Sequence, residues 1–225
     1  MCAAPFAGLG APAMRLIGKR RSVKNPNWCD SCFKFMSRHH GGAEVECTLL
    51  FADIRGSTTL AEGMSAAEFS RLMDRFYDTA ATVVFDHDGM VDKFVGDELV
   101  AIFSRLFSGE RHAASAVDTA RALLEATGHR EPGGPWVPLG AGVHTAPTWV
   151  GAVGSDTHTE LTVLGDSVNT TARLASAARA GEILVTTEAA TAAGLDSSLE
   201  RRPLELKGKQ HVTEVVALTV GPTPG

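Results

Sequence analysis

The chain has 225 residues, of which 44% are hydrophobic and 21% charged, with a formal net charge of −5. This supports one packed domain plus an appendage and excludes a chain disordered throughout. The acidic balance argues against a nucleic-acid partner, whose phosphates call for a basic face, but leaves room for a nucleotide held by local positive charge or metal. No apolar run approaches the roughly 20 residues needed to cross a bilayer. The Ala/Gly/Pro-rich opening, Met1 to Met14, lacks the basic start and long apolar centre of a signal peptide. Four cysteines do not make a disulfide scaffold in a chain this long. The expected compartment is the reducing cytoplasm.

Regular patterning begins after Gly41-Gly42. Residues 1–43 are expected to form an N-terminal segment, partly flexible and placed to regulate. Residues 44–220 are expected to form the main domain, and 221–225 a flexible tail. In the first segment, Trp28, Cys29, Cys32, Phe33, Phe35 and Met36 suggest a short helix packed on the domain or across a dimer. Cys29 and Cys32 followed by His39-His40 invite a zinc reading. Two adjacent histidines so close behind strain a single tetrahedral site, and a redox role for the CxxC stands beside it.

Cys47 to Ile54 (CTLLFADI) reads as a buried strand, and Arg55-Gly56-Ser57-Thr58 as a turn into a helix. Ser65 and Glu68 make a capping box. Behind it Phe69, Leu72, Met73, Phe76, Ala80, Val83 and Val84 recur at helical spacing up to Asp88-Gly89. Met90–Val95 and Leu99–Phe103 are strands joined at Gly96-Asp97, a tight-hairpin signal. Ala113, Ala116, Val117, Ala120, Leu123 and Leu124 share a helix face. After a loop at 131–135, strands are expected over Leu139–His144, Leu161–Leu164 and Glu182–Thr186, with a helix over Asp166–Ala180. The tail alternates around Lys207-Gly208-Lys209 as a closing hairpin. Alternating elements give an α/β sandwich with helices packed on a sheet.

Asp53 closes a buried strand and Asp97 sits at a hairpin tip. If the strands are neighbours the two carboxylates converge, a costly arrangement unless a cation lies between them. Hard divalent ions take such ligands together with phosphate oxygens. Taken singly, each Asp also suits a turn or a helix cap. The N–H groups from Ile54 to Thr58, at a helix start, suit phosphate, or form a plain strand-to-helix connection. Asn169 and Arg173, four apart, share a helix face, either to grip sugar and phosphate or as a solvated face. Lys93, on the same strand face as Val95 and Asp97 if alternation is unbroken, suits a base acceptor or an edge position.

Four segments in order, FADIRGST (Phe51–Thr58), DKFVGDELVAIF (Asp92–Phe103), LGDSVNTTARL (Leu164–Leu174) and LKGK (Leu206–Lys209), resemble the catalytic domain of class III adenylate and guanylate cyclases over roughly Glu44 to Leu218. The resemblance implies a ferredoxin-like βαββαβ core sheet with helices on it. It implies two divalent ions, Mg²⁺ or Mn²⁺, held by Asp53, Asp97 and the Ile54 carbonyl. It implies that Asn169 orients the ribose, that Arg173 neutralises charge on the α-phosphate, and that Lys207 meets the terminal phosphates, with Gly56, Ser57 and Thr58 beside them. Lys93 and Thr162 would read the base. Because family sites draw on two domains and this chain carries both sets, a head-to-tail homodimer acting on ATP is implied. Thr162, where many adenylate cyclases carry Asp, reads the base less stringently, so a guanylate cyclase is an alternative. So is a catalytically silent nucleotide-binding module, although no metal Asp or Arg is missing. Thr at that position also occurs in the branch that includes bicarbonate-stimulated cyclases. Ala146, where relatives commonly have Gly, would sit in a loop. A polymerase-like two-metal enzyme is disfavoured by Lys93, the Asn169/Arg173 helix and the acidic charge.

Overall fold

The structure is a computed structural model describing residues 14, 16–22, 26, 29–38, 41–155, 158–206 and 212–221. Helix α1 spans Asp30–Arg38 and strand β1 Gly41–Ile54. There follow α2 (Ser57–Glu62), α3 (Ala66–Asp86), β2 (Met90–Val95), β3 (Glu98–Ser104), a single-turn α4 (Arg105–Ser108) and α5 (His112–Ala126). The second half holds β4 (Leu139–Ser155), β5 (His158–Leu164), α6 (Asp166–Ala177), β6 (Glu182–Thr186), α7 (Thr187–Ala192), β7 (Arg201–Leu204) and β8 (Thr213–Thr219). The strands form one mixed sheet in the order β2-β3-β1-β4-β6-β8-β7, with β5 paired to β4.

Two compact units share strands β1 and β4. The larger comprises Glu46–Pro147 and Gly165–Gly225. Its core joins β1, β3, β4 and β6 to helices α3 and α5 through Leu50, Phe76, Leu99, Phe103, Leu123, Leu139 and Ile183, all fully buried. Helix α3 starts as the sequence indicates. The Ser65 hydroxyl accepts from the Glu68 N–H while the Glu68 carboxylate accepts from the Ser65 N–H, so two orphan donors of the first turn are satisfied. On its inner face Phe76, Ala80 and Val84 are buried, following the helical period. A second, smaller cluster of Leu174, Ala178, Leu184, Leu206 and Val215 packs α6 on the sheet.

The smaller unit comprises residues up to Val45 together with Thr148–Leu164. In it the outer half of β4 pairs antiparallel with β5, from Trp149↔Leu164 to Ser155↔His158, and α1 packs against β5.

Several elements differ from expectation. β4 runs on past His144 to Ser155, through Pro147 at an exposed position where a missing N–H costs little. Ala146 therefore lies in a strand rather than a loop. β1 starts at Gly41, not Cys47. Helix α6 stops at Ala177, because Ala178 is extended. Helix α7, opened by Thr186 as its N-cap, was not foreseen. In the N-terminal segment the helix begins at Asp30, and Phe35 on it is 62% exposed; Trp28, His39 and His40 lie outside the described residues, as does the turn at Lys207-Gly208-Lys209.

Candidate active site

β1 and β3 pair antiparallel over seven residues, ending at Asp53↔Glu98. Residues directly opposite in an antiparallel pair project to the same face, so the ladder itself sets these two carboxyls side by side. Asp97 precedes Glu98 in the two-residue loop that turns β2 into β3. Gly96, the first loop residue, has φ 59°, in the left-handed region that a side chain would oppose. The Tyr77 hydroxyl on α3 donates to the Gly96 carbonyl, and its ring stacks on Phe94 at 4.0 Å between centroids. The hairpin tip is thus tied to the helix layer.

The Asp53 and Asp97 carboxyls come within hydrogen-bonding reach of each other. Burial, with Asp97 adding to it and Arg55 opposing, raises the Asp53 pKa to about 6. Burial, then the charges of Asp53 and Asp97, raises that of Glu98 to about 7. Three carboxyls in one partly buried place are therefore under-neutralised. Arg55 is the nearby cation. It forms an ion pair with Asp53, and its Nη1 donates to the carbonyls of Ser176 (2.9 Å) and Ala178 (3.5 Å) at the end of α6. Its backbone N–H donates to the Pro138 carbonyl at 2.8 Å.

Gly56 is the N-cap of α2 with φ 69°, and no side chain caps that helix. The N–H groups of its first turn, at Ser57 and Thr58, thus receive no side-chain cap, as at a helix start that can accept an anion. Among the described residues no group of three His, Cys, Asp or Glu side chains converges tightly enough to hold a metal unaided. Asp53, Asp97 and the Ile54 carbonyl are nonetheless an all-oxygen donor set, the kind Mg²⁺ shares with substrate phosphates, and the mutual repulsion of the carboxyls there, which adds to burial in raising their pKa values, is one that a cation would relieve.

Asn169 and Arg173 lie on α6, whose inner face buries Ser167, Thr170, Thr171, Leu174 and Ala175. Asn169 is exposed and Arg173 half-buried. Ser176, where Arg55 attaches, stands seven residues beyond Asn169, about 10 Å along the helix axis. The structure thus gathers Asp53, Ile54, Asp97 and Glu98 into one group and Asn169 with Arg173 into a second, with Arg55 as the link. Lys93 is half-buried on β2, its Nζ 3.8 Å from the buried Asp92 carboxylate. A β-bulge between Val91 and Lys93 shifts the register ahead of Lys93, and from Lys93 to Val95 the pairing with β3 is continuous, so Lys93 and Val95 share a face. Thr162, buried on β5 opposite Gly151, belongs to the smaller unit. Lys207 lies outside the described residues.

Glu98, Arg55 and Tyr77 were not singled out from the sequence. Glu98 carried a signal: it opens the strand that follows Asp97, and an antiparallel pairing of that strand with the one Asp53 ends can set the two face to face.

Residues 42–218 match the model of the adenylate and guanylate cyclase catalytic domain. The chain belongs to that family. It is 31% identical over 190 residues to Adenylate cyclase 1 of Rhizobium meliloti (strain 1021), covering 80% of this chain and 29% of that protein. It is 30% identical over 134 residues to an adenylate cyclase of Anabaena cylindrica, covering 56% of this chain and 26% of the other. The chain therefore spans under a third of the length of these relatives. Among solved structures it resembles the guanylyl cyclase Cya2 (TM-score 0.72, 28% identity, 80% of this chain and 95% of that one). It also resembles the adenylyl cyclase CyaB from P. aeruginosa (TM-score 0.69, 26% identity, 79% and 96%). No helix among the described residues is long and apolar enough to cross a membrane.

Proposed function

We propose that the chain is an adenylate cyclase that converts ATP to 3′,5′-cyclic AMP and pyrophosphate. The observation that carries this reading is the convergence of Asp53 and Asp97, with Glu98 beside them, at the end of β1. In the reaction the ribose 3′-oxygen attacks the α-phosphorus, the bond to the pyrophosphate oxygen breaks, and the hydroxyl proton passes to water. Asp53, Asp97 and the Ile54 carbonyl would hold divalent cations, Mg²⁺ or Mn²⁺, which when bound supply Lewis acidity toward the hydroxyl and the phosphates. The N–H groups of Gly56, Ser57 and Thr58 receive phosphate oxygens. Arg173 places a fixed positive charge where negative charge builds on the α-phosphate, a contribution of about 3 kcal/mol to the barrier for such a donor. Asn169 orients the ribose, Lys207 meets the terminal phosphates, and Lys93 and Thr162 read the base.

The carboxylate group and the Asn169/Arg173 group are complementary halves of one such site, so a head-to-tail homodimer builds two. Specific activity should then fall on dilution below the dimer dissociation constant. Residues 44–220 make up the catalytic domain, with 1–43 as a regulatory segment, and ATP as substrate places the enzyme in the cytoplasm. GTP is the second reading, favoured by the undemanding Thr162 hydroxyl and the 28% identity to a guanylyl cyclase structure.

Purified protein assayed with ATP or GTP in Mg²⁺ or Mn²⁺, beside Asp53→Ala and Arg173→Ala, tests all of this. Cyclic AMP lost in both variants supports the reading. Cyclic GMP as the main product replaces the substrate, and no product from a folded dimer leaves a silent nucleotide-binding module.

A further inference from the structure

Cys29 and Cys32 take no part in the chemistry above, yet the fold gives them a defined arrangement. The Cys29 carbonyl accepts the first helical hydrogen bond, from the Phe33 N–H at 3.0 Å, and α1 proper starts at Asp30. Cys29 thus opens the helix and Cys32 is its third residue. Positions three apart across one helical turn have Cβ atoms about 5–6 Å apart, and a disulfide needs Cα atoms within about 4.4–6.8 Å with Cβ atoms drawn to about 4 Å. Cys29 is anchored: it bridges to Arg21, and the Asp30 N–H donates to the Arg20 carbonyl at 2.9 Å. Its side chain is only 4% exposed, whereas Cys32 is partly exposed, and the two are unbridged. Cys47 lies fully buried in β1, out of reach of an outside reagent.

We propose that Cys29 and Cys32 are a redox-active dithiol, a modification site that closes an intramolecular disulfide by exchange with a small disulfide of the glutathione class. The partly exposed Cys32, as its thiolate, attacks one sulfur of glutathione disulfide and releases one glutathione. The Cys29 thiolate then attacks the Cys32 sulfur of the mixed disulfide and releases the second. Two protein thiols are oxidised, one glutathione disulfide is reduced to two thiols, and the two cysteine protons end on them. Closure tightens the first turn of α1, which packs on β5, the strand that carries Thr162. This second limb rests on the reading of Thr162 as a base contact: oxidation changes KM for the nucleotide.

The test equilibrates the 225-residue chain, with Cys2→Ser to remove the remaining thiol, across glutathione buffers of set ratio. Free thiols are then alkylated and mapped by mass spectrometry. The expected result is joint loss of alkylation at Cys29 and Cys32, reversible by dithiothreitol, independent of protein concentration, with Cys47 unchanged. Cys29→Ser should trap one glutathione on Cys32, while Cys32→Ser should take up little. Both thiols still alkylated in fully oxidised buffer, a bridge between two chains, or one tightly held zinc per chain lost with Cys29→Ser would each overturn the proposal. KM for ATP should differ about five-fold or more between the oxidised and reduced forms and not at all in Cys29→Ser. A disulfide with unchanged KM overturns the link to β5. The bridge is detected by mass, so its formation or absence is established whether or not the chain is a cyclase.

Discussion

At Thr48, strand β1 buries a hydroxyl that bonds the His112 ring at 2.9 Å and the Thr145 hydroxyl at 2.8 Å. Five residues on, at Asp53, the same strand delivers a carboxyl beside two others. In the first place polar groups answer one another: the far nitrogen of His112 faces the Glu46 carboxylate at 3.5 Å. His129 is satisfied in the same way. The Leu139 N–H donates to its Nε2 at 3.2 Å, so Nδ1 carries the hydrogen toward the Leu124 carbonyl at 3.0 Å. In the second place like charges crowd, and one arginine opposes three acids. A buried polar group with complete partners stabilises one fold. A buried cluster of one sign costs stability, and a binding site for the opposite charge repays that cost when filled. His112 and His129 are thus structural, whereas the carboxyls at the end of β1 are left open to an opposite charge.

The largest expected effect separates the two ends outright. Asp53→Asn should cut cyclic nucleotide formation by about three orders of magnitude, yet raise the melting temperature of the metal-free protein at pH 8, since a repelling charge is gone. A lower melting temperature would place Asp53 with the structural groups. Next comes His112→Ala, which removes one of the two partners of Thr48 and leaves a void; about 2–4 kcal/mol should be lost in urea unfolding. Activity per folded molecule should hold, and a loss of turnover without loss of stability would break the comparison.

The third prediction uses pH. The folded-state pKa values of Asp53 and Glu98, about 6 and about 7, exceed the ordinary 3.8 and 4.5. As pH rises through that window the unfolded chain sheds protons that the fold retains, so the fold loses stability until about pH 7. Divalent ions bind the deprotonated carboxylates, so the rise in melting temperature caused by Mg²⁺ or Mn²⁺ should grow from pH 5 to 7 and then level off. Glu98→Gln should flatten this growth. His129 has the opposite sign. Burial lowers its pKa from 6.5, and its contribution is lost as pH drops below that value, because only the unfolded chain takes up the proton. Melting curves from pH 4.5 to 8, with and without metal, separate the two ends. The smallest effect is that of Thr145→Val, which removes one hydroxyl from the chain at Thr48. It should cost about 1 kcal/mol and leave the metal response untouched.

Much of the region around the three carboxyls is legible in the sequence. The capping box at Ser65 and the period through Phe76, Ala80 and Val84 marked α3. Gly96-Asp97 between two apolar runs marked the hairpin, and the four ordered segments marked the family. What stayed hidden depended on neighbours. Pro147 reads as a strand breaker, yet β4 passes through it because its position is exposed. The bulge at Asp92 shows only in the register of β2 against β3. His112, 64 residues from Thr48, gives no local hint of its partner.

The sequence by itself determined the helix and strand periods, the tight turn at Gly96 and the identities of the groups able to hold metal and phosphate. These follow from side-chain spacing and backbone preference, which act within a few residues. Only the tertiary structure decided that β1 lies between β3 and β4, that Glu98 joins Asp53 and Asp97, that Arg55 ties them to the end of α6, and which buried histidines are fully partnered. Such pairings join residues tens of positions apart, and their free energy comes from burial and register across the whole sheet.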